Sequence, residues 1–226
     1  MRYCASDLHG EYELFVRLLD KIGFGEGDQM YLCGDIIDKG PSSLRLAKFI
    51  AERSNIHSIL GNHEQAFLDF YHSLLESGCD SETMLARLRE YFPSDRGLLD
   101  WELVDWIESL PTYIETDEFI CVHAGIPISP EGELLLSDAS VNQLVHDRRF
   151  KNPDATHRSP KCVFFGHTQT DCIIGEPKII GHRRTPFAPT DTLEGFSKIH
   201  LDTGTWSNGV MACLCIDTCK AYYVRR

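Results

Sequence analysis

The chain is 226 residues long and carries 22 Lys and Arg against 34 Asp and Glu, a formal net charge of −12. That acidic balance, without a block of like charges, excludes general nucleic-acid binding, which needs basic side chains to displace counterions; an anionic substrate stays compatible with it where a bound cation supplies local positive charge. With 42% apolar and 25% charged residues, the composition is that of an ordinary soluble globular protein, expected to form a single domain over 1–226.

Nine cysteines are present, and Cys4, Cys33, Cys121, Cys162, Cys213 and Cys215 lie inside apolar runs. They read as buried, reduced thiols. Cys213, Cys215 and Cys219 lack the paired CxxC spacing of a zinc site. The start MRYCASDLHG reaches polar residues by Asp7 without an apolar leader, and no run approaches the ~20 apolar residues of a membrane span. The expectation is a cytoplasmic protein with neither membrane nor nucleic acid as partner.

In chain order, residues 2–6 read as a strand ending at Asp7, and 11–22 as an amphipathic helix with Leu14, Phe15, Leu18, Leu19 and Ile22 on one face. A strand is expected at 29–33, a helix at 42–53 with Pro41 near its start, a strand at 56–60 and a helix at 64–76. Strand, polar loop and helix thus alternate three times, which implies a parallel layer with ligands collecting beyond the carboxyl ends of its strands. Residues 80–110 read as a small helical insertion, broken at Pro93–Gly97 and holding Trp101 and Trp106 as packing residues. A hairpin at 112–123 and a short helix at 141–150 follow. Strands are then expected at 161–165, 171–175, 178–182, 198–203, 210–216 and 221–225. The whole predicts an α/β fold of two packed sheets flanked by helices.

Five polar clusters fall at strand ends: SDLHG (6–10), GDIIDKG (34–40), GNHE (61–64), VHAG (122–125) and FGHT (165–168). Carboxylate, amide and imidazole together suit borderline divalent metals. In Asp7-x-His9 the two side chains share one face of an extended segment. One such pair is weak evidence; five clusters in order are not explained by turn chemistry alone.

This series resembles the calcineurin-like metallophosphoesterases, and within them the phosphoprotein phosphatase branch, bacterial serine/threonine phosphatases included, which carries GDxHG, GDxxDRG, GNHE, HAG and GH in this order. The departures are Ser6 for Gly and Lys39 for Arg. The resemblance implies an α/β/β/α metallophosphoesterase fold with two mixed sheets. It also implies two divalent metal ions, Mn by preference with Fe, Zn or Ni as alternatives. Asp7, His9 and Asp35 would hold one ion, and Asp35, Asn62, His123 and His167 the other. His63 would be the proton donor to the leaving oxygen, oriented by Asp38. Lys39 and Arg148, with Arg149 as the fallback, would contact phosphate. The implied activity is that of a phosphoric monoester hydrolase acting on phosphorylated serine or threonine in proteins. The alternative is a bis(5'-nucleosyl)-tetraphosphatase-like or other small phosphoester hydrolase. A lysine at position 39 also occurs in diadenosine-tetraphosphatase-like enzymes, whereas those enzymes tend to lack the carboxylate retained here as Asp38. A non-catalytic metal-binding scaffold is the lesser reading, because none of the six ligand positions nor His63 is lost.

Overall fold

The computed structural model describes residues 1–129 and 132–226. The chain opens with β1 (Arg2–Ala5), α1 (Tyr12–Ile22), β2 (Gln29–Leu32), α2 (Ser43–Ala51), β3 (Ile56–Ser58) and α3 (Asn62–Glu76). The insertion follows as α4 (Ser81–Glu90) and α5 (Trp101–Glu108), then the hairpin β4 (Tyr113–Glu115) and β5 (Phe119–Val122). Next come β6 (Ile128–Ser129), β7 (Gly132–Glu133), α6 (Val141–His146), β8 (Cys162–Phe165), α7 (Asp171–Ile174) and β9 (Ile180–Arg183). The chain ends with β10 (Phe196–His200), α8 (Thr205–Asn208), β11 (Val210–Cys215) and β12 (Lys220–Arg225).

Two mixed sheets of five strands result, ordered β12-β11-β1-β2-β3 and β4-β5-β8-β10-β9. The expected alternation makes β1, β2 and β3 parallel, in the register Arg2↔Gln29 and Met30↔Ile56. In the second sheet β5, β8 and β10 are parallel. The period of two along β1 separates two cores: Tyr3 and Ala5 pack toward the helices, whereas Cys4 lies with Cys33, Phe119, Cys121 and Phe164 between the sheets. On α1, Leu14, Phe15, Leu18 and Leu19 are buried as the 3–4 spacing requires. No helix among the described residues is long and apolar enough to cross a membrane.

Four expected elements differ. Residues 171–175 are not a strand but one turn of helix, closed by Gly175 N–H donating to Asp171 O at 2.9 Å with Gly175 at φ 74; the Asp and Gly at its ends outweigh the β-branched Ile173 and Ile174. The helix expected to 150 stops at His146, where Asp147 turns extended and its carboxylate holds Arg149. The strand expected at 198–203 runs Phe196–His200 because the chain turns at Asp202, whose carboxylate accepts from Gly204 N–H at 2.9 Å. The strand expected at 178–182 is displaced to Ile180–Arg183, the stretch that pairs antiparallel with β10.

Candidate functional site

The carboxyl ends of β1, β2, β3, β5 and β8 deliver Asp7, Asp35, Asn62, His123 and His167 to one edge of the sandwich. Backbone hydrogen bonds knit the first two loops: Asp7 N–H donates to Gly34 O, His9 N–H to Asp35 O, and Gly10 N–H to Ile36 O. The β2 and β3 loops touch backbone to backbone. A Cβ on Gly34 would stand 2.7 Å from Gly61 Cα, and Gly34 has φ +84, so glycine is required twice over.

Asp35 is buried and turns its two oxygens to different partners. Oδ1 lies 3.5 Å from His123 Nε2 and accepts from the His63 N–H at 3.0 Å, while Oδ2 lies 3.6 Å from His9 Nε2. On the first side, Asn62 Oδ1 is 3.0 Å from His123 Nε2 and 2.8 Å from His167 Nδ1. Adjacent donors about 2.1 Å from an octahedral divalent ion lie roughly 3.0 Å apart, so separations of 3.0 and 2.8 Å fit a shared cation. His123 Nδ1 donates to Cys33 O at 2.7 Å. In the neutral ring its Nε2 lone pair then faces the acceptors Asn62 Oδ1 and Asp35 Oδ1, an arrangement that a cation between them satisfies. On the other side, His9 Nε2 lies 3.9 Å from Asp7 Oδ1, and Asp7 is buried.

The electrostatics agree. Burial, with Asp7 and Glu64 nearby, pushes the Asp35 carboxyl well above the usual carboxylate range. Burial, then Lys39 and His63, pulls His9 well below 6.5, and burial with His123 and Arg148 pulls His167 to about 2. Neutral imidazoles beside carboxylates that are costly to charge are a donor set that could hold divalent cations.

His63 stands apart from that set. Its Nδ1 meets Asp38 Oδ2 at 2.7 Å, which leaves Nε2 toward Asp35 Oδ2 at 3.9 Å. Burial pulls His63 down, but the Asp38 hydrogen bond and the Asp35 charge outweigh it, so its pKa is raised above 6.5. The same bond, against burial, holds Asp38 down at about 2. Lys39 Nζ lies 3.1 Å from His9 Nε2. At the other end, Arg148 Nη1 reaches Thr168 Oγ1 at 3.5 Å and bears on His167, whereas Arg149 is turned away onto Asp147. The structure thus brings the candidate residues to one place, except the fallback Arg149, with Arg148 at the edge.

Glu64 carries more than the sequence indicates. Its buried carboxylate accepts from Asp35 N–H (2.9 Å), Ile36 N–H (2.8 Å), Ile37 N–H (3.0 Å) and Gly61 N–H (2.9 Å), tying the β2 loop to the start of α3. A signal for it existed, since Glu at the third helical position is half of a capping box. Asp202 is also buried here, its carboxyl raised by burial and by Asp7. Among the described residues, seven non-glycines have positive φ: Asp7, His9, Asp35, Asp38, Lys39, His167 and Cys219. Six of the seven are candidate site residues, which is the clustering expected of strain held at a functional site.

The insertion borders this edge. Tyr91, Phe92, Pro93, Ser94 and Asp95 face Asp38, Lys39 and Gly40 across a cavity of about 140 Å³. Asp95 fixes the approach by accepting from Leu44 N–H at 2.7 Å and Arg45 N–H at 3.1 Å.

Comparison with known proteins follows the geometry. A family model described as calcineurin-like phosphoesterase matches residues 3–183. A symmetrical bis(5'-nucleosyl)-tetraphosphatase of Haemophilus ducreyi is 35% identical over 136 residues, 58% of this chain and 47% of the relative. One of Erwinia tasmaniensis is 31% identical over 147 residues, 63% of this chain and 50% of the relative. The chain therefore spans about half the length of the curated relatives it matches. Among solved structures, a protein provisionally assigned as a diadenosine tetraphosphatase superposes with TM-score 0.65 at 18% identity, covering 99% of this chain and 92% of that one. A serine/threonine phosphatase from Saccharomyces cerevisiae superposes with TM-score 0.51 at 16% identity, covering 94% of this chain and 71% of that one. At such identities these two speak to the fold alone.

Proposed function

From the premise that the chain belongs to the calcineurin-like phosphoesterase family, we propose that it hydrolyses a small phosphoanhydride of the dinucleoside polyphosphate class, using two divalent cations. The observation that carries the chemistry is Asp35, whose two oxygens face two separate ligand groups. The substrate class rests on the relatives, which are named symmetrical bis(5'-nucleosyl)-tetraphosphatases. This reading takes precedence over phosphoprotein hydrolysis, for which one observation speaks, the Asp38–His63 pair.

In this reading Asp7, His9 and Asp35 hold one cation, and Asp35, Asn62, His123 and His167 the other. The pair, when bound, supplies Lewis-acid activation of a water and of the phosphoryl oxygens. The side chains do the rest. Asp35 keeps the two ligand groups in a fixed relation. Arg148 at the His167 end and Lys39 at the His9 end neutralise phosphate oxygens, Arg148 as a planar fork and Lys39 as a point charge. His63, whose protonated form Asp38 favours, gives its Nε2 proton to the departing oxygen. Water adds across the central anhydride, so diadenosine tetraphosphate and water yield two ADP.

The test is side-by-side hydrolysis of diadenosine tetraphosphate and a phosphoserine peptide by manganese-supplemented protein, with products separated chromatographically. ADP as the dominant product, at a kcat/KM well above that on the peptide, is the expected result. Phosphate release from the peptide with an untouched dinucleotide overturns the substrate class and restores the protein phosphatase.

A further inference from the structure

A second group of ligating atoms lies one layer beneath the site, in the apolar space between the sheets. Cys4 on β1, Cys33 just past β2 and Cys121 on β5 are all fully buried. Cys4 Sγ is 3.7 Å from Cys33 Sγ and 3.9 Å from Cys121 Sγ, and the three sulfurs lie within 4.8 Å of one another. Two strands of one sheet and one of the other therefore converge on a single point. We propose that these three cysteines form a binding site for a thiophilic divalent cation of the zinc–cadmium class, separate from the phosphoesterase centre.

Three features carry this. Sulfurs about 2.3 Å from a tetrahedral zinc stand roughly 3.8 Å apart, and Cys4 Sγ stands 3.7 Å and 3.9 Å from its two partners before any ion is added. The donors are soft sulfur alone, whereas the site above is oxygen and imidazole alone, so the two sites sort cations by type. The ion also offsets most of the charge that binding creates in a dry interior: three thiols release three protons to solvent, and the divalent cation leaves one net negative charge where three would stand. Cys4, Cys33 and Cys121 precede Asp7, Asp35 and His123 by three, two and two residues, and Cys33 O accepts the His123 Nδ1–H. An ion here would cross-link the strand ends from which the phosphoesterase ligands project.

The sulfurs are closed to solvent, so the ion is best supplied while the sheets assemble. The background is the triple variant C79S/C172S/C219S, which removes the cysteines that are not fully enclosed. This protein is refolded with cadmium, with manganese present for the oxygen and imidazole site, and excess ion is removed. We expect one retained cadmium per chain with a thiolate-to-cadmium ultraviolet band and, by X-ray absorption at the cadmium edge, a shell of three sulfurs. Adding Cys121→Ser should cut the retained sulfur-bound cadmium at least tenfold, and Cys213→Ser should leave it unchanged. If Cys121→Ser does not fold, the three-sulfur shell of the background protein stands as the test. A shell of two or fewer sulfurs, absence of the band after refolding, or loss of cadmium on changing Cys213 overturns the proposal.

Discussion

His63 is caught between burial, which disfavours its charge, and Asp38 at 2.7 Å, which favours it more. Its raised pKa favours the protonated ring, and that proton is lost as pH rises through the raised value. His63→Gln should therefore leave metal content intact and lower kcat by ~10²–10⁴ on an alkyl phosphate, whose leaving alkoxide needs the proton. On diadenosine tetraphosphate the loss should be smaller, because a nucleoside diphosphate departs more readily. A uniform loss below threefold on both substrates removes His63 from proton transfer. Lys39→Arg exchanges a point charge for a fork beside His9 and should change KM for the dinucleotide while sparing metal binding; an unchanged KM on every phosphoester would place Lys39 outside the substrate site. The residue types and their order at strand ends were readable in the sequence. The contact of Lys39 with His9 was not, since it joins two loops whose approach is set by the backbone hydrogen bonds from Asp7, His9 and Gly10 to Gly34, Asp35 and Ile36.

The start of α3 illustrates how an element organises the site. Asn62 and His63 occupy its first turn, the His63 N–H points at Asp35, and Glu64 draws four N–H groups onto one buried carboxylate. Glu64→Gln turns one acceptor oxygen into a donor and strands two N–H groups. At about 1–3 kcal/mol for each unsatisfied group, we expect destabilisation of about 2–6 kcal/mol in denaturant titrations, with weaker cation binding. A cost under 1 kcal/mol would show that water replaces the carboxylate. Periodicity located α1 and α3 because their apolar faces are continuous. It misread 171–175 because a single turn has no periodicity to display, and its capping residues carry the only signal. The insertion was readable as helical, whereas the meeting of its Tyr91–Asp95 link with Lys39 depends on Asp95 reaching α2 across the fold.

Across the whole molecule, a buried and a half-buried histidine on the second sheet are expected to limit acid stability. His200, stacked on Phe165 with ring centroids 4.3 Å apart, is pulled by burial from 6.5 to about 3, and His182 by burial and Lys198 to about 4. Both are neutral in the folded chain near neutral pH, while the unfolded chain takes up their protons near 6.5. Unfolding therefore binds protons below that pH, and stability falls from pH 6.5 toward 3 with a slope of up to about 1.4 kcal/mol per pH unit from His200 alone. His200→Phe keeps the stack and should flatten that limb when melting temperature is followed against pH; an unaltered slope would assign the acid limit elsewhere. The two-sheet architecture was readable from the change between a parallel first half and a strand-rich second half. The order β4-β5-β8-β10-β9 was not, because strand order depends on which faces meet after the chain closes.

The left-handed backbone at six site residues also bears on how the sequence would drift under selection. A non-glycine in that conformation costs about 1–2 kcal/mol relative to a chain free to relax. Lys39→Gly should thus raise the unfolding free energy by about 1 kcal/mol while damaging turnover, and unchanged stability would show the loop to be unstrained. A screen that rewards thermostability alone would enrich glycine at Lys39, whereas Asp38 would resist it through its hydrogen bonds to His63 and to the Lys39 N–H, so folding and the proposed chemistry pull one loop in opposite directions.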